Sequence, residues 1–279
     1  MQLALKDIDL KTNWIKSGKE SFLYYEKVDS TLNIALDVHH QEQSVGRIVI
    51  TDNQVSGKGT YNKSWYSEPC KDEEGVVRGF LLEKGMEGFT SSDIHGKMSL
   101  RASITSELFM KDVRVPDKNR LPGVEGLKGP LSCLTQARYS IVWGTIGAAI
   151  DCYEVALAYS KDRKQFSKPI AGFQLTQQKL VEMVQEITKA QLLAIQLGKL
   201  KDDNLLDFSH ISIGKKNNVA IARDCAKSAR EILGANGIMD DYSVMRHMMN
   251  LETVYTYEGT HEIHTLIIGQ KITDLSAFE

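Results

Sequence analysis

Four short segments carry residue types that bind cofactors or move protons. The first is Thr256-Tyr-Glu-Gly-Thr-His-Glu-Ile-His264. Glu258 stands just before Gly259 and Thr260, and Thr260 has the residue type and place of a helix N-cap. A helix starting there offers unpaired N–H groups to an anion or a cofactor. His261 and His264 fall on one helix face at i, i+3, the spacing of half a metal site. No further paired ligand accompanies them, so a solvated or packed helix face is expected and no metal is assigned. The second segment, Asp162-Arg-Lys-Gln-Phe-Ser-Lys-Pro-Ile170, reads as a polar turn around a buried Phe166. The third, Gly234-Ala-Asn-Gly237, reads as a tight glycine turn after a helix. The fourth, Ser56-Gly-Lys-Gly-Thr-Tyr-Asn-Lys63, is a glycine loop whose Lys58 and Lys63 can meet a phosphate, or else a plain hairpin turn. Taken singly, each reads as structure before it reads as function.

The elements that must position these segments differ along the chain. Residues 21–120 hold short apolar runs broken by Gly, Asp and Asn, the pattern of strands and turns. Strands are expected at Arg47–Thr51, Val76–Val77, Phe80–Leu82 and Glu107–Met110, and a further one through Val113 ending at Pro116. From about residue 130 the apolar positions recur at three and four, through Leu134, Ile141, Val142, Ile146, Ala149, Cys152 and Tyr159. A second helix is expected from Phe173 to Leu200, a third from Phe208 to Leu233 stopped by Gly234, and shorter ones at Asp240–Leu251 and Thr260–Leu275. Long helices on short connections predict an antiparallel bundle, and the fold class is α+β with a β-rich front. The boundary is expected near Pro122–Pro130.

The chain has 279 residues, 42% hydrophobic and 25% charged, with a net charge of −2. Those values describe an ordinary globular chain with enough length for a real core. The balanced charge argues against a nucleic-acid binder. No run of about 18 apolar residues is present, so no membrane span is expected. Cys70, Cys133, Cys152 and Cys225 lack zinc-site spacing and read as structural thiols of a reducing compartment. The first residues, MQLALKDIDLKTNW, have neither the flanks of a secretory signal nor, with Asp7 and Asp9, those of a transit peptide.

In this order and spacing, the first three segments resemble the acyl-CoA dehydrogenase family, its glutaryl-CoA dehydrogenase branch most. Gly79-Phe-Leu-Leu-Glu-Lys-Gly85, Gly96-Lys-Met-Ser-Leu-Arg-Ala-Ser103, Ala137-Arg-Tyr-Ser140 and the stretch Leu251–Phe278 belong to the same resemblance, which covers about residues 76–279. The resemblance implies a C-terminal helical domain at 126–279 built as an antiparallel four-helix bundle, a remnant of a middle β-domain at 76–125, and FAD as cofactor. It implies oxidation of an acyl-CoA thioester between its α and β carbons, with loss of carbon dioxide as the glutaryl-specific step. Glu258 matches the glutamate that removes the α proton. A carboxylate is a weak base in water and a stronger one when buried against substrate. The thioester carbonyl then accepts hydrogen bonds, one of them from the Glu258 N–H. Arg163 and Phe166 match positions that hold the flavin of a neighbouring subunit. Gln174, Gly234, Asn236 and Gly237 match the other side of that interface, and Thr260 and Glu262 match residues beside the flavin. Arg138, Tyr257 and Gly259 match the substrate channel. A homotetramer is implied, with an electron-transfer flavoprotein as acceptor. The expected location is the mitochondrial matrix in a eukaryote and the cytoplasm otherwise.

The first 75 residues are read differently. Asp29, Ser30 and Thr31, followed by Gly57, Lys58, Gly59 and Lys63, resemble the start of a biotin protein ligase catalytic domain. The two resemblances meet within Cys70–Val77, which suggests a fusion or a truncated chain. Two alternatives to a dehydrogenase therefore stand: a noncatalytic oligomerisation module, and a biotin protein ligase fragment.

Overall fold

The structure is a computed structural model that describes residues 76–277 and, as backbone strands, Phe22–Tyr25, Ile48–Thr51 and Tyr66–Lys71. It divides into two units, Met1–His95 with Ala102–Val124, and Gly96–Arg101 with Glu125–Glu279. In the first unit β1 (Phe22–Tyr25) pairs parallel with β2 (Ile48–Thr51). The next two strands, β3 (Tyr66–Lys71) and β4 (Val77–Leu82), form an antiparallel pair that sets Cys70 opposite Arg78. Two more, β5 (Phe89–Asp93) and β6 (Ser106–Met110), pair antiparallel. The expected meeting point of the two resemblances thus lies between paired strands, and residues 72–75 within it are outside the described residues. So are Asp29, Ser30, Thr31, Gly57, Lys58, Gly59 and Lys63 of the ligase-like reading.

The strand expected through Val113 is absent. Its ladder ends at Lys111, whose N–H reaches the Gly88 carbonyl at 2.9 Å, and Asp112 then takes a left-handed φ of 52°. That turn leads the chain back to β4, where the Leu121 N–H donates to the Gly79 carbonyl at 2.8 Å.

The second unit carries five helices. They are α1 (Lys128–Asp162), α2 (Gln174–Asp202), α3 (Phe208–Leu233), α4 (Ser243–Thr256) and α5 (His261–Thr273). A two-residue-strand hairpin, β7 (Lys164–Gln165) and β8 (Lys168–Pro169), joins α1 to α2. The core is one cluster built from the stripes the sequence shows: Val142, Ile146, Ala149 and Cys152 of α1, Leu180, Met183, Ile187 and Ala194 of α2, and Ala222, Cys225 and Ala229 of α3. Small residues at these positions let the helix backbones approach closely. Burial pushes the Cys152 and Cys225 thiols up to about 12, which fits inert packing groups.

Polar ties complement the apolar core. Buried Asn218 on α3 donates to the Val142 carbonyl at 3.0 Å and the Ala190 carbonyl at 3.4 Å, joining three helices. Asp151 on α1 accepts from both Ser243 and His247 of α4. Gly96–Arg101 docks on α4, where the Leu100 N–H donates to Asn250 Oδ1 at 2.8 Å. The helix α1 is, by length and composition alone, long and apolar enough to cross a membrane, although its sequence holds no unbroken apolar run of that length. Its average is apolar because Ile, Val, Leu, Ala and Cys outnumber the charged side chains through its middle. In this fold its apolar stripe faces the bundle core.

Candidate functional site

The connection between α4 and α5 concentrates the chemistry. Helix α4 ends at Thr256, and Thr260 caps α5 by accepting the Ile263 N–H on its hydroxyl at 3.3 Å. The three residues between must reverse direction, and two of them take left-handed φ: Glu258 at 57° and Gly259 at 89°. Each carbonyl of this tripeptide meets a cation. Lys215 on α3 donates from Nζ to the Tyr257 carbonyl at 2.5 Å and to the Gly259 carbonyl at 2.7 Å. Arg138 on α1 donates from Nε to the Glu258 carbonyl at 2.7 Å. With its carbonyl so occupied, Glu258 has a buried side-chain oxygen, Oε2, that accepts no hydrogen bond.

The surroundings are basic, and Lys215 and His264 behind the loop are buried. Lys215 is 1% exposed, and burial, then the like charge of Arg138, lower its pKa to about 8, with Glu258 opposing. Burial lowers the Arg138 guanidinium too, and Glu258 again opposes. His264, also 1% exposed, falls to about 4 through burial and the charges of Lys215, Arg138 and His261, so it is neutral at pH 7. Among the described residues neither ring nitrogen has a hydrogen-bond partner of good geometry, and the nearby Glu258 backbone opposes the shift only weakly. The Tyr257 hydroxyl is raised by burial and by Glu258. Gly259 is fitted closely, since a Cβ there would lie 3.1 Å from Arg138 Nη2 and 3.4 Å from His264 Nε2. His261 turns away from His264: its ring stacks on Tyr255 at 4.6 Å, and its Nε2 meets Lys216 Nζ at 2.9 Å. Among the described residues no group of three His, Cys, Asp or Glu is placed to hold a metal.

The other candidate residues gather elsewhere. Arg163 closes α1 and its carbonyl accepts the Ile170 N–H at 2.8 Å across the β7–β8 hairpin. Phe166 is the turn of that hairpin and is 89% exposed, not buried as the sequence suggested. A two-residue turn with φ of 49° at Phe166 and 64° at Ser167 points both side chains outward. The Phe166 ring meets Phe173 edge-on, and Gln174 opens α2 just beyond. Asn236 donates to the Tyr159 hydroxyl at 3.0 Å, which brings Gly234, Asn236 and Gly237 to this same end of α1. Gly237 has no room for a side chain, since a Cβ would lie 2.4 Å from the Arg230 carbonyl oxygen.

The structure therefore forms two groups rather than one site. Arg138, Tyr257, Glu258, Gly259, Thr260 and Glu262 stand together, and Arg163, Phe166, Gln174, Gly234, Asn236 and Gly237 stand together. At a rise of about 1.5 Å per residue, Arg138 and Tyr159 lie roughly 30 Å apart along α1. Sequence reasoning missed Lys215 and passed over His264 as a helix-face residue. The signal for Lys215 was its place on the apolar stripe of α3, between Ile211 and Ala222, where a lysine needs a buried partner.

A helical bundle that presents a glutamate ahead of a capped helix has close counterparts among known proteins. The model of the acyl-CoA dehydrogenase C-terminal domain matches residues 125–273. The chain belongs to the acyl-CoA dehydrogenase family. It is 32% identical to the glutaryl-CoA dehydrogenase of Desulfococcus multivorans over 207 residues, 73% of this chain and 53% of that protein. It is 32% identical to a short-chain-specific acyl-CoA dehydrogenase of Megasphaera elsdenii over 205 residues, 73% of this chain and 53% of that one. The crystal structure of glutaryl-CoA dehydrogenase from Mycobacterium smegmatis superposes with a TM-score of 0.75 at 52% identity, covering 77% of this chain and 55% of that chain. A second structure of a glutaryl-CoA dehydrogenase from that organism, in complex with FADH2, gives the same TM-score of 0.75 at 47% identity, with the same coverage of 77% and 55%. The chain spans about half the length of the curated relatives it matches.

Proposed function

We propose that this chain is a glutaryl-CoA dehydrogenase-like flavoprotein that oxidises an acyl-CoA thioester between its α and β carbons. The observation that carries the reading is Glu258. Its Oε2 is buried, accepts no hydrogen bond and is held at a fixed, left-handed backbone position, which leaves that oxygen free to take a proton from a carbon acid. The Glu258 N–H, on the same residue, donates to the thioester carbonyl and so stabilises the charge that forms when the α proton leaves. Arg138 and Lys215 keep the loop in place from behind.

FAD fits the remaining residues. Phe166 offers an exposed ring for a planar heterocycle, Arg163 offers a permanently charged planar fork for a pyrophosphate, and Gly237 lets backbone approach closely. Thr260 and Glu262 flank the start of α5. When bound, FAD supplies the acceptor for the hydride that leaves the β carbon. The separation of the two groups along α1 supports a cofactor shared between copies of the chain, Arg163 and Phe166 from one and Glu258 from another, in a homotetramer. An electron-transfer flavoprotein is proposed as the oxidant that returns the flavin. Residues 76–125 are proposed as the remnant of the family's middle β-domain, and the expected mitochondrial or cytoplasmic location stands as a proposal with it.

The test is reconstitution of the full chain with FAD followed by anaerobic glutaryl-CoA. Flavin absorbance that bleaches with the natural chain, and stays with Glu258→Gln, is expected. Flavin that binds and never bleaches, in a stable oligomer, would leave the noncatalytic oligomerisation module as the function.

A further inference from the structure

We infer that Lys215 is a positioning residue for Glu258, holding the Tyr257 and Gly259 carbonyls on either side of it so that the carboxylate leaves the backbone in one direction. This rests on the proposed role of Glu258 as base. Three consecutive carbonyls bond to two cations from two different helices, Lys215 to the outer pair and Arg138 to the middle one. A left-handed residue followed by a left-handed glycine has many alternative conformations, and tying down all three carbonyls removes them.

Stability does not explain this lysine. It is 1% exposed, and no ion pair with a described carboxylate accompanies its two backbone bonds. Burial and the like charge of Arg138 depress its pKa to about 8, so keeping this group charged inside the fold works against stability. An apolar side chain of the same length would fill the space without burying a charge, at the cost of leaving the Tyr257 and Gly259 carbonyls without this donor. What such a side chain does not do is hold the loop. The neighbouring Lys216 is only partly buried and faces His261, so the full burial of Lys215 is not shared by the adjacent lysine.

The experiment compares the full chain with Lys215→Met and Lys215→Arg. Amide hydrogen exchange reads the loop, a thermal melt reads the bundle, and stopped-flow bleaching of bound FAD by glutaryl-CoA reads the chemistry. In Lys215→Met, exchange at residues 257–260 is expected to rise at least about tenfold while core amides of α1–α3 stay unchanged. The melting temperature is expected to move by no more than about 3 °C. The bleaching rate is expected to fall by about a hundredfold or more, with half-saturation changed less than about threefold. Lys215→Arg is expected to recover part of both the loop protection and the rate. Unchanged loop exchange in Lys215→Met overturns the inference. So does a melting temperature that collapses together with exchange throughout the bundle. If the natural chain binds FAD and never bleaches, the base role of Glu258 fails, and the exchange result still decides whether Lys215 fixes the loop.

Discussion

At the scale of single residues, the loop 257–259 shows how a conformation that the backbone resists becomes a site. Gly259 suits its position because a φ of 89° strains any other residue and a methyl group would crowd Arg138 Nη2 at 3.1 Å. Gly259→Ala is expected to destabilise the chain by about 1–3 kcal/mol, read from denaturant melts, and to shift the Arg138 contact. His264 makes a second prediction. Its folded pKa of about 4 lies below the unfolded value of 6.5, so the unfolded chain binds the extra proton first. Its contribution is therefore fully present above pH 6.5 and is lost as pH falls toward 4. The loss is about 3 kcal/mol at most. Melts from pH 7 to 4 should show this slope, and His264→Gln should flatten it; an equal slope in both proteins would contradict the assignment. Glu258 was legible because its neighbours form a motif. Lys215 was not, because Lys215-Lys216 looks like a solvated pair until the helix turn of about 100° between them sends one side chain inward and leaves the other outside.

At the scale of elements, periodicity did most of the work for the helices. The stripes through Val142, Ala149 and Cys152, or through Leu180, Ile187 and Ala194, state both the helix and the face it buries. Thr260 and Gly234 were readable as a cap and a stop because each does its work within one turn of backbone. The strand through Val113 failed for the opposite reason: strand formation depends on a partner distant in sequence, and Asp112 turns the chain out of the ladder. Phe166 failed because an apolar residue in a short polar turn was assumed to pack, whereas the turn geometry points it outward. That hairpin carries its own prediction. Ser167 holds a φ of 64° at a turn position that favours glycine. Ser167→Gly relieves left-handed strain and gives back some of it as extra unfolded-state freedom, so a net gain of about 0.5–1 kcal/mol is expected. A thermal melt rising by a few degrees checks it. A fall would show that the serine side chain makes a stabilising contact.

At the scale of the whole molecule, a bundle helix of 35 residues separates the two groups of candidate residues, and that separation decides what the molecule has to do. A single chain presents Glu258 near one end of α1 and Phe166 beyond the other. It exposes Phe166 at 89%, Leu175 at 76% and Val181 at 60% around the hairpin and the start of α2. Apolar side chains left in water on one end of a stable bundle are the ordinary mark of an interface. On the proposed reading, FAD bridges that end of one copy and the loop of another, so assembly and cofactor binding are linked and neither is complete alone. Replacing the exposed ring tests the linkage. Phe166→Ser should leave the helical content and the melt of the bundle unchanged, because the ring touches little of its own chain. It should weaken both self-association in sedimentation and FAD retention by at least about tenfold, in parallel. Glu258→Gln, which alters only the acid, should change neither. FAD retained by a monomeric Phe166→Ser chain would place the whole cofactor site within one copy, and the roughly 30 Å between the two groups would then have to be explained without a second subunit.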